Sequence, residues 1–169
     1  MVEVIAKSTY TEEKTRDFFK FHLYKVSQTK YLYFAIASIL FIISVIFGVM
    51  GNLGISLFFL FTSIIVLVIR IAVNNITINK IIKNITYDAI NYILKINEEE
   101  VIYSTTAITK KYPWSSLFKI FETKNYIYFY TNKSSALILH KYSITEIERV
   151  KLKQILEKKA TGYKEINFK

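Results

Sequence analysis

Chemistry in this chain would have to start from two histidines, thirteen acidic residues and twenty-three basic ones. His22 and His140 fall in different segments, and a nucleophile–base pair would need one of them beside a serine and a carboxylate. His140 reads as the end of a strand, where a structural histidine is the ordinary finding. Glu98, Glu99 and Glu100 are consecutive, so their carboxylates point to different sides and suit a solvated turn better than a cation cage. The chain has no cysteine, which removes disulfides, thiolate zinc, iron–sulfur clusters and a thiol nucleophile. Its four glycines cannot be arranged as a phosphate-cradling Gly-x-Gly-x-x-Gly or Walker loop. The expectation is a protein that is not an enzyme, with no catalytic residues, no metal and no cofactor.

What remains are surfaces. Lys110, Lys111, Lys119, Lys124 and Lys141 are candidates to meet anionic headgroups or a partner. Tyr126, Tyr128 and Tyr130 alternate with Ile127 and Phe129, which puts the three phenols on one face of a strand. That face is expected to stay partly wet, as a ligand or partner surface or simply as cross-strand aromatic pairing. Trp114 reads as a structural anchor in the core. Twenty of the twenty-three basic residues are lysine, and no basic run reaches five residues. That argues against nucleic acid, where arginine reads base edges. A lysine-rich domain beside an anionic leaflet accounts for the net charge of +10 more simply, at about 1 kcal/mol for each lysine near the surface.

The elements that must position these groups follow from the charge pattern. The 169 residues are 52% hydrophobic, too apolar for a disordered chain. Residues 1–30 carry six basic and four acidic groups, residues 31–69 carry none, and residues 70–169 carry seventeen and nine. One membrane-spanning helix needs about 20 apolar residues, and the uncharged block is nearly twice that. Gly48, Gly51, Asn52 and Gly54 interrupt it, and these residue types permit a tight reversal. The reading is a transmembrane hairpin over 31–73, with spans at about 31–50 and 53–73. Lys20, Lys25 and Lys30 before it and Arg70, Lys80 and Lys83 after it place both flanks in the cytoplasm. The expected location is a bacterial inner membrane, multi-pass, with both termini cytoplasmic. Lysine, isoleucine and asparagine richness suits an AT-rich bacterial genome. The hydroxyls inside the spans, among them Ser44, Thr62 and Ser63, are expected to bond back to their own helices.

The flanks divide further. Residues 1–30 read as a short strand, then a helix from about Thr11 through Lys30 into the first span, opened by a capping box at Thr9 and Glu12. Residues 74–87 connect, and Ile78, Ile81 and Ile82 suggest that the second span continues into them as a helix. Residues 88–169 give short strand-like runs at hairpin spacing, which argues a curved antiparallel sheet or open barrel. A second capping box at Ser143 and Glu146 opens a final helix from about Thr145 to Lys159, with Ile147, Val150, Leu152, Ile155 and Leu156 as its apolar stripe. The fold class is therefore α+β, a two-helix membrane hairpin plus a cytosolic β-rich domain with a C-terminal helix.

This order of elements carries Tyr112-Pro113-Trp114-Ser115-Ser116, Phe121-Glu122-Thr123 and an apolar strand entering Lys141. It resembles the YcxB-like family of small bacterial membrane proteins. The family's Trp-Ser-Asp/Ser-Ile motif is similar to Trp114-Ser115-Ser116-Leu117, and its Ile-Pro-Lys element corresponds to Leu139-His140-Lys141, without the proline. The resemblance implies a C-terminal domain similar to a bacterial pleckstrin-homology barrel, and it implies no activity. Three functions are then open. The leading one is a non-catalytic membrane-anchored module that binds a protein partner or itself, as a homo-oligomer, at the inner leaflet. The second is a sensor of anionic lipid headgroups. The third is an immunity protein that blocks a toxin or bacteriocin at the membrane.

Overall fold

The computed structural model describes residues 3–85, 91–159 and 163–165. The boundary read at residue 88 and the strand position at Val2 lie outside the described residues. The chain forms two compact units, one of Phe19–Thr86 and one that joins Met1–Phe18 to Tyr87–Lys169. The N-terminal eighteen residues thus belong with the β-rich unit, because the first strand hydrogen-bonds into its sheet.

In the β-rich unit, β1 (Val4–Thr9), β2 (Asn91–Ile96), β3 (Glu100–Ser104) and β4 (Thr109–Pro113) form an antiparallel sheet in that order. Val4 pairs with Ile96 and Thr9 with Asn91. The second sheet has the order β7-β6-β5-β8, from β5 (Lys119–Glu122), β6 (Tyr126–Tyr130), β7 (Ala136–His140) and β8 (Tyr163–Glu165). Its β5–β6 and β6–β7 pairs are antiparallel, whereas β8 joins β5 in parallel. Alternation sends Val4, Leu94 and Ile96 from one sheet, and Phe129 and Leu139 from the other, into a common core. Each such fully buried side chain contributes roughly 1.5–3 kcal/mol. The Tyr92 hydroxyl crosses between the sheets and donates to the Ile138 carbonyl at 2.6 Å. Burial pushes its pKa up to about 12.

Helix α1 (Glu12–Phe21) is capped by Thr11, whose hydroxyl accepts from the Lys14 amide at 3.3 Å. The cap therefore sits two residues after the expected Thr9. The helix also does not run on to Lys30. It passes into a π-turn over His22–Val26, and Ser27 adopts an extended backbone that ends it. Helix α4 (Glu146–Lys159) shifts in the same way. Thr145 and Glu148 exchange the capping bonds, while the Ser143 hydroxyl donates to the His140 carbonyl instead. Leu152, Ile155 and Leu156 of α4 enter the core, whereas Ile147 and Val150 are exposed, so the apolar stripe is narrower than the sequence suggested.

In the helical unit, α2 (Thr29–Val49) and α3 (Leu53–Lys83) form an antiparallel hairpin, and both are long and apolar enough to cross a membrane. Gly51, at φ +79°, makes the reversal, and the Asn52 side chain caps α3 by accepting from the Ile55 amide. The second span continues as one helix to Lys83. Thr62 bonds back to its own helix, at the Phe58 carbonyl. Ser44 donates to the Ser56 carbonyl at 2.7 Å and Ser63 to the Ala37 carbonyl at 2.9 Å, both across the helix pair. The expectation for these two serines is thereby corrected: small neighbours bring the backbones close enough for a crossing bond.

Candidate functional site

Helix α4 packs its Leu152–Leu156 face on the sheet and leaves a polar flank beside the ends of β5 and β6. The flank repeats at helical spacing, with Glu146, Arg149 and Lys153 one above the other. The turn after β5 brings Lys124 to the same place, and the turn after β7 brings Lys141. Together they enclose a cavity of about 260 Å³, with Glu122 as a further polar wall and Ile127, Val150, Leu152 and Leu156 as the apolar lining.

Most of its charges are engaged. Lys141 pairs with Glu122, both nearly buried, and the Tyr163 hydroxyl donates to the other oxygen of that carboxylate. Arg149 pairs with Glu146 at 2.9 Å and also donates to the Lys141 carbonyl at 3.1 Å. Lys153 meets Glu165 of β8 at 2.7 Å. That bond holds the Glu165 carboxyl below its usual range and raises Lys153 above its own. Burial, then the neighbouring Glu122, pushes the Tyr163 phenol up. Lys124 has no ion-pair partner among the described residues, so it is the cation left available to an incoming group. The described lining residues bring carboxylates and cations together, and such a set suits recognition of a charged group.

The five lysines expected as one surface separate. Lys124 and Lys141 line the cavity. Lys110 and Lys111 lie exposed on β4, the edge of the other sheet, where Lys111 meets Glu100 at 3.3 Å. Lys119 is exposed at the start of β5, over the Phe118 ring. Trp114 is buried in the core cluster, and its indole N–H donates to the Asn97 carbonyl at 3.1 Å.

The tyrosine face differs most from expectation. Tyr126, Tyr128 and Tyr130 are all buried, so the face is not wet. Phe18 packs on Tyr128 and Tyr130 at ring separations of 5.6 and 5.8 Å, and the Tyr126 hydroxyl donates to Asp17 at 3.2 Å. Burial pushes all three phenols above their ordinary value, and Asp17 adds to this at Tyr126. Alternation distinguishes the two faces of a strand, but it does not reveal that a second layer, 109 residues away, covers the outer one.

Glu122 and Glu146 carry only structural roles in the sequence pattern, and Arg149, Lys153 and Tyr163 carry none, although all five meet at this place. The i, i+3, i+7 spacing of Glu146, Arg149 and Lys153 was an available signal. Nothing marked the three-residue strand of Tyr163. Among the described residues no cluster of histidine and acidic groups could hold a metal ion.

Comparison with known proteins finds a family match. The model of the family described as YcxB-like protein matches residues 96–156, from the end of β2 through most of α4. This bears out the resemblance read from Trp114-Ser115-Ser116-Leu117. No curated protein and no solved structure matches the chain.

Proposed function

We infer that this chain, with its YcxB-like domain over residues 96–156, is a non-catalytic interaction module anchored in a bacterial inner membrane. The β-rich unit, similar to a pleckstrin-homology barrel, engages a protein partner or a second copy at the cytosolic face of the inner leaflet. One observation carries the anchoring. The apolar windows of α2 and α3 are only 11% and 6% buried within the chain, which suits helices whose solvent is lipid rather than a protein core. A second supports the placement of the flanks. Because β1 is hydrogen-bonded to β2, Thr9 and Asn91 lie on one side of any membrane, and the chain between them crosses it an even number of times. Two crossings with lysine-rich flanks favour the cytoplasm for both. The interaction role draws on the cavity beside α4, where an unengaged cation sits above apolar walls.

The test is photo-crosslinking in living cells from Val150, an exposed residue of the cavity rim. A single discrete adduct, to one protein or to a second copy, that is lost on Lys124→Glu is the expected result. Turnover of a substrate by the purified chain, abolished by one side-chain change, would overturn the non-catalytic reading.

A second reading, the anionic-lipid sensor, is favoured by the exposure of Lys110 and Lys111 along the outer strand β4. It requires vesicle recruitment of the β-rich unit to fall steeply with salt and to fall again on Lys110→Gln/Lys111→Gln.

A further inference from the structure

Arg70 is the only charged residue between Lys30 and Lys80. It lies eighteen residues beyond Asn52, the cap of α3. At 1.5 Å per residue that is about 27 Å along the helix, close to the ~30 Å thickness of a hydrocarbon core. With the Gly51 turn at one surface of the bilayer, Arg70 reaches the other. Lys30 and Phe34 stand at the same level on α2, since Lys30 is nineteen residues before Val49.

The guanidinium is held there by rings rather than by acids. Its central carbon is 5.7 Å from the Tyr24 ring and 5.1 Å from the Phe34 ring. Contacts through the ring faces orient the planar group and leave its N–H edges unused. Arg70 makes no ion pair and no hydrogen bond among the described residues, although it has five donors and is half-buried. The described residues supply no acceptor to those donors, which leaves the guanidinium edges open to a ligand. Lys30, over the Tyr31 ring at 4.9 Å and donating to the Lys25 carbonyl, adds positive charge at the same depth. A planar, fixed guanidinium with free edges is suited to bidentate recognition of a phosphate.

We propose that Arg70, held against Tyr24 and Phe34, binds the phosphate of an inner-leaflet phospholipid. The site rests on the membrane-spanning reading given above. All its residues belong to the helical unit, whereas the lysines considered above belong to the β-rich unit.

The test uses the full chain purified in mild detergent. Native mass spectrometry counts phospholipid retained after titration with short-chain phosphatidylglycerol and, separately, with inorganic phosphate. The wild type should retain one phospholipid. Arg70→Gln should lower its apparent affinity roughly 10- to 100-fold, the loss expected when charge-assisted hydrogen bonds are removed. Arg70→Lys, which keeps the charge but not the fork, should fall between, and Lys80→Gln should match the wild type. Retention by Arg70→Gln equal to the wild type overturns the site, as does capture of inorganic phosphate with no capture of lipid. Alkaline carbonate extraction of native membranes separates this from failure of the anchor. If wild type and Arg70→Gln both stay in the membrane while lipid retention is unchanged, the phosphate site alone is wrong. If the wild type is released, the anchor is wrong and the site falls with it.

Discussion

His140 shows how one side chain reports on the packing around it. Its ring lies 5.0 Å from Tyr126 and 5.2 Å from Tyr142. Burial lowers its pKa below the ordinary 6.5; Lys14 and Arg149 act in the same direction and Glu13 opposes them. The unfolded chain then takes up a proton at higher pH than the folded one, so stability rises with pH through this window. Stability is complete above pH 6.5 and falls as the pH drops from there through the folded value. We expect the urea midpoint of the full chain in detergent to decrease between pH 7.5 and 5.5. His140→Gln should flatten that slope in part, because His22 is also lowered by burial and keeps its own share. A wild-type midpoint that does not change with pH would contradict this. At the same scale, Lys124, Lys141 and Trp114 were legible in the sequence as groups of interest. The burial of Tyr126, Tyr128 and Tyr130 was not, since their cover comes from Asp17 and Phe18, far away along the chain.

Elements were easier to read than their ends. An uncharged block with Gly51 and Asn52 in its middle reads as a helical hairpin, because so long an apolar run with a reversal signal at its centre suits two long apolar helices. Both helix caps lie two residues beyond the expected ones, since Thr9 and Thr11, and Ser143 and Thr145, offer equivalent hydroxyls to the first turn. Strand β8 left no trace because three residues cannot show a period. The hairpin carries a specific constraint at Gly48. A Cβ there would lie 3.2 Å from the Ser56 hydroxyl, whereas at Gly54 it would meet open space. The Ser63–Ala37 hydrogen bond shows that these two backbones are close, so a chain with Ala37→Cys and Ser63→Cys should form a disulfide in native membranes on mild oxidation. Adding Gly48→Val should slow that reaction severalfold, and adding Gly54→Val should leave it unchanged. Equal rates for the two would mean that the helices do not pack through Gly48.

At the scale of the whole molecule, orientation is the consequential prediction. The chain lacks cysteine, so single introduced thiols report without background. Asn52→Cys, at the turn between α2 and α3, should react with an impermeant maleimide added to intact cells. Lys133→Cys, in the turn between β6 and β7, should react only after lysis. The reverse pattern would invert the orientation and move the β-rich unit outside. The arrangement into two units was only half legible. The hydropathy pattern separates membrane from water, but it cannot show that β1 returns to pair with β2, because strand pairing depends on partners and not on local composition.

That pairing has a consequence for how the protein is made. Thr9 and Asn91 are 82 residues apart, and both hairpin helices are translated between them. At a ribosomal rate of about 5–20 residues per second, β1 waits roughly 4–16 s for its neighbour. On the membrane-spanning reading proposed above, β1 can pair with β2 only where both helices have inserted, so this pairing tests the insertion that precedes it. A chain that crosses the bilayer once strands β1 on the far side, and the Val4 and Ala6 positions of the core stay empty. Such a product carries an open β2 edge, an unpaired surface of the kind that invites aggregation. On that reading, insertion of both helices is a precondition for completing the first sheet.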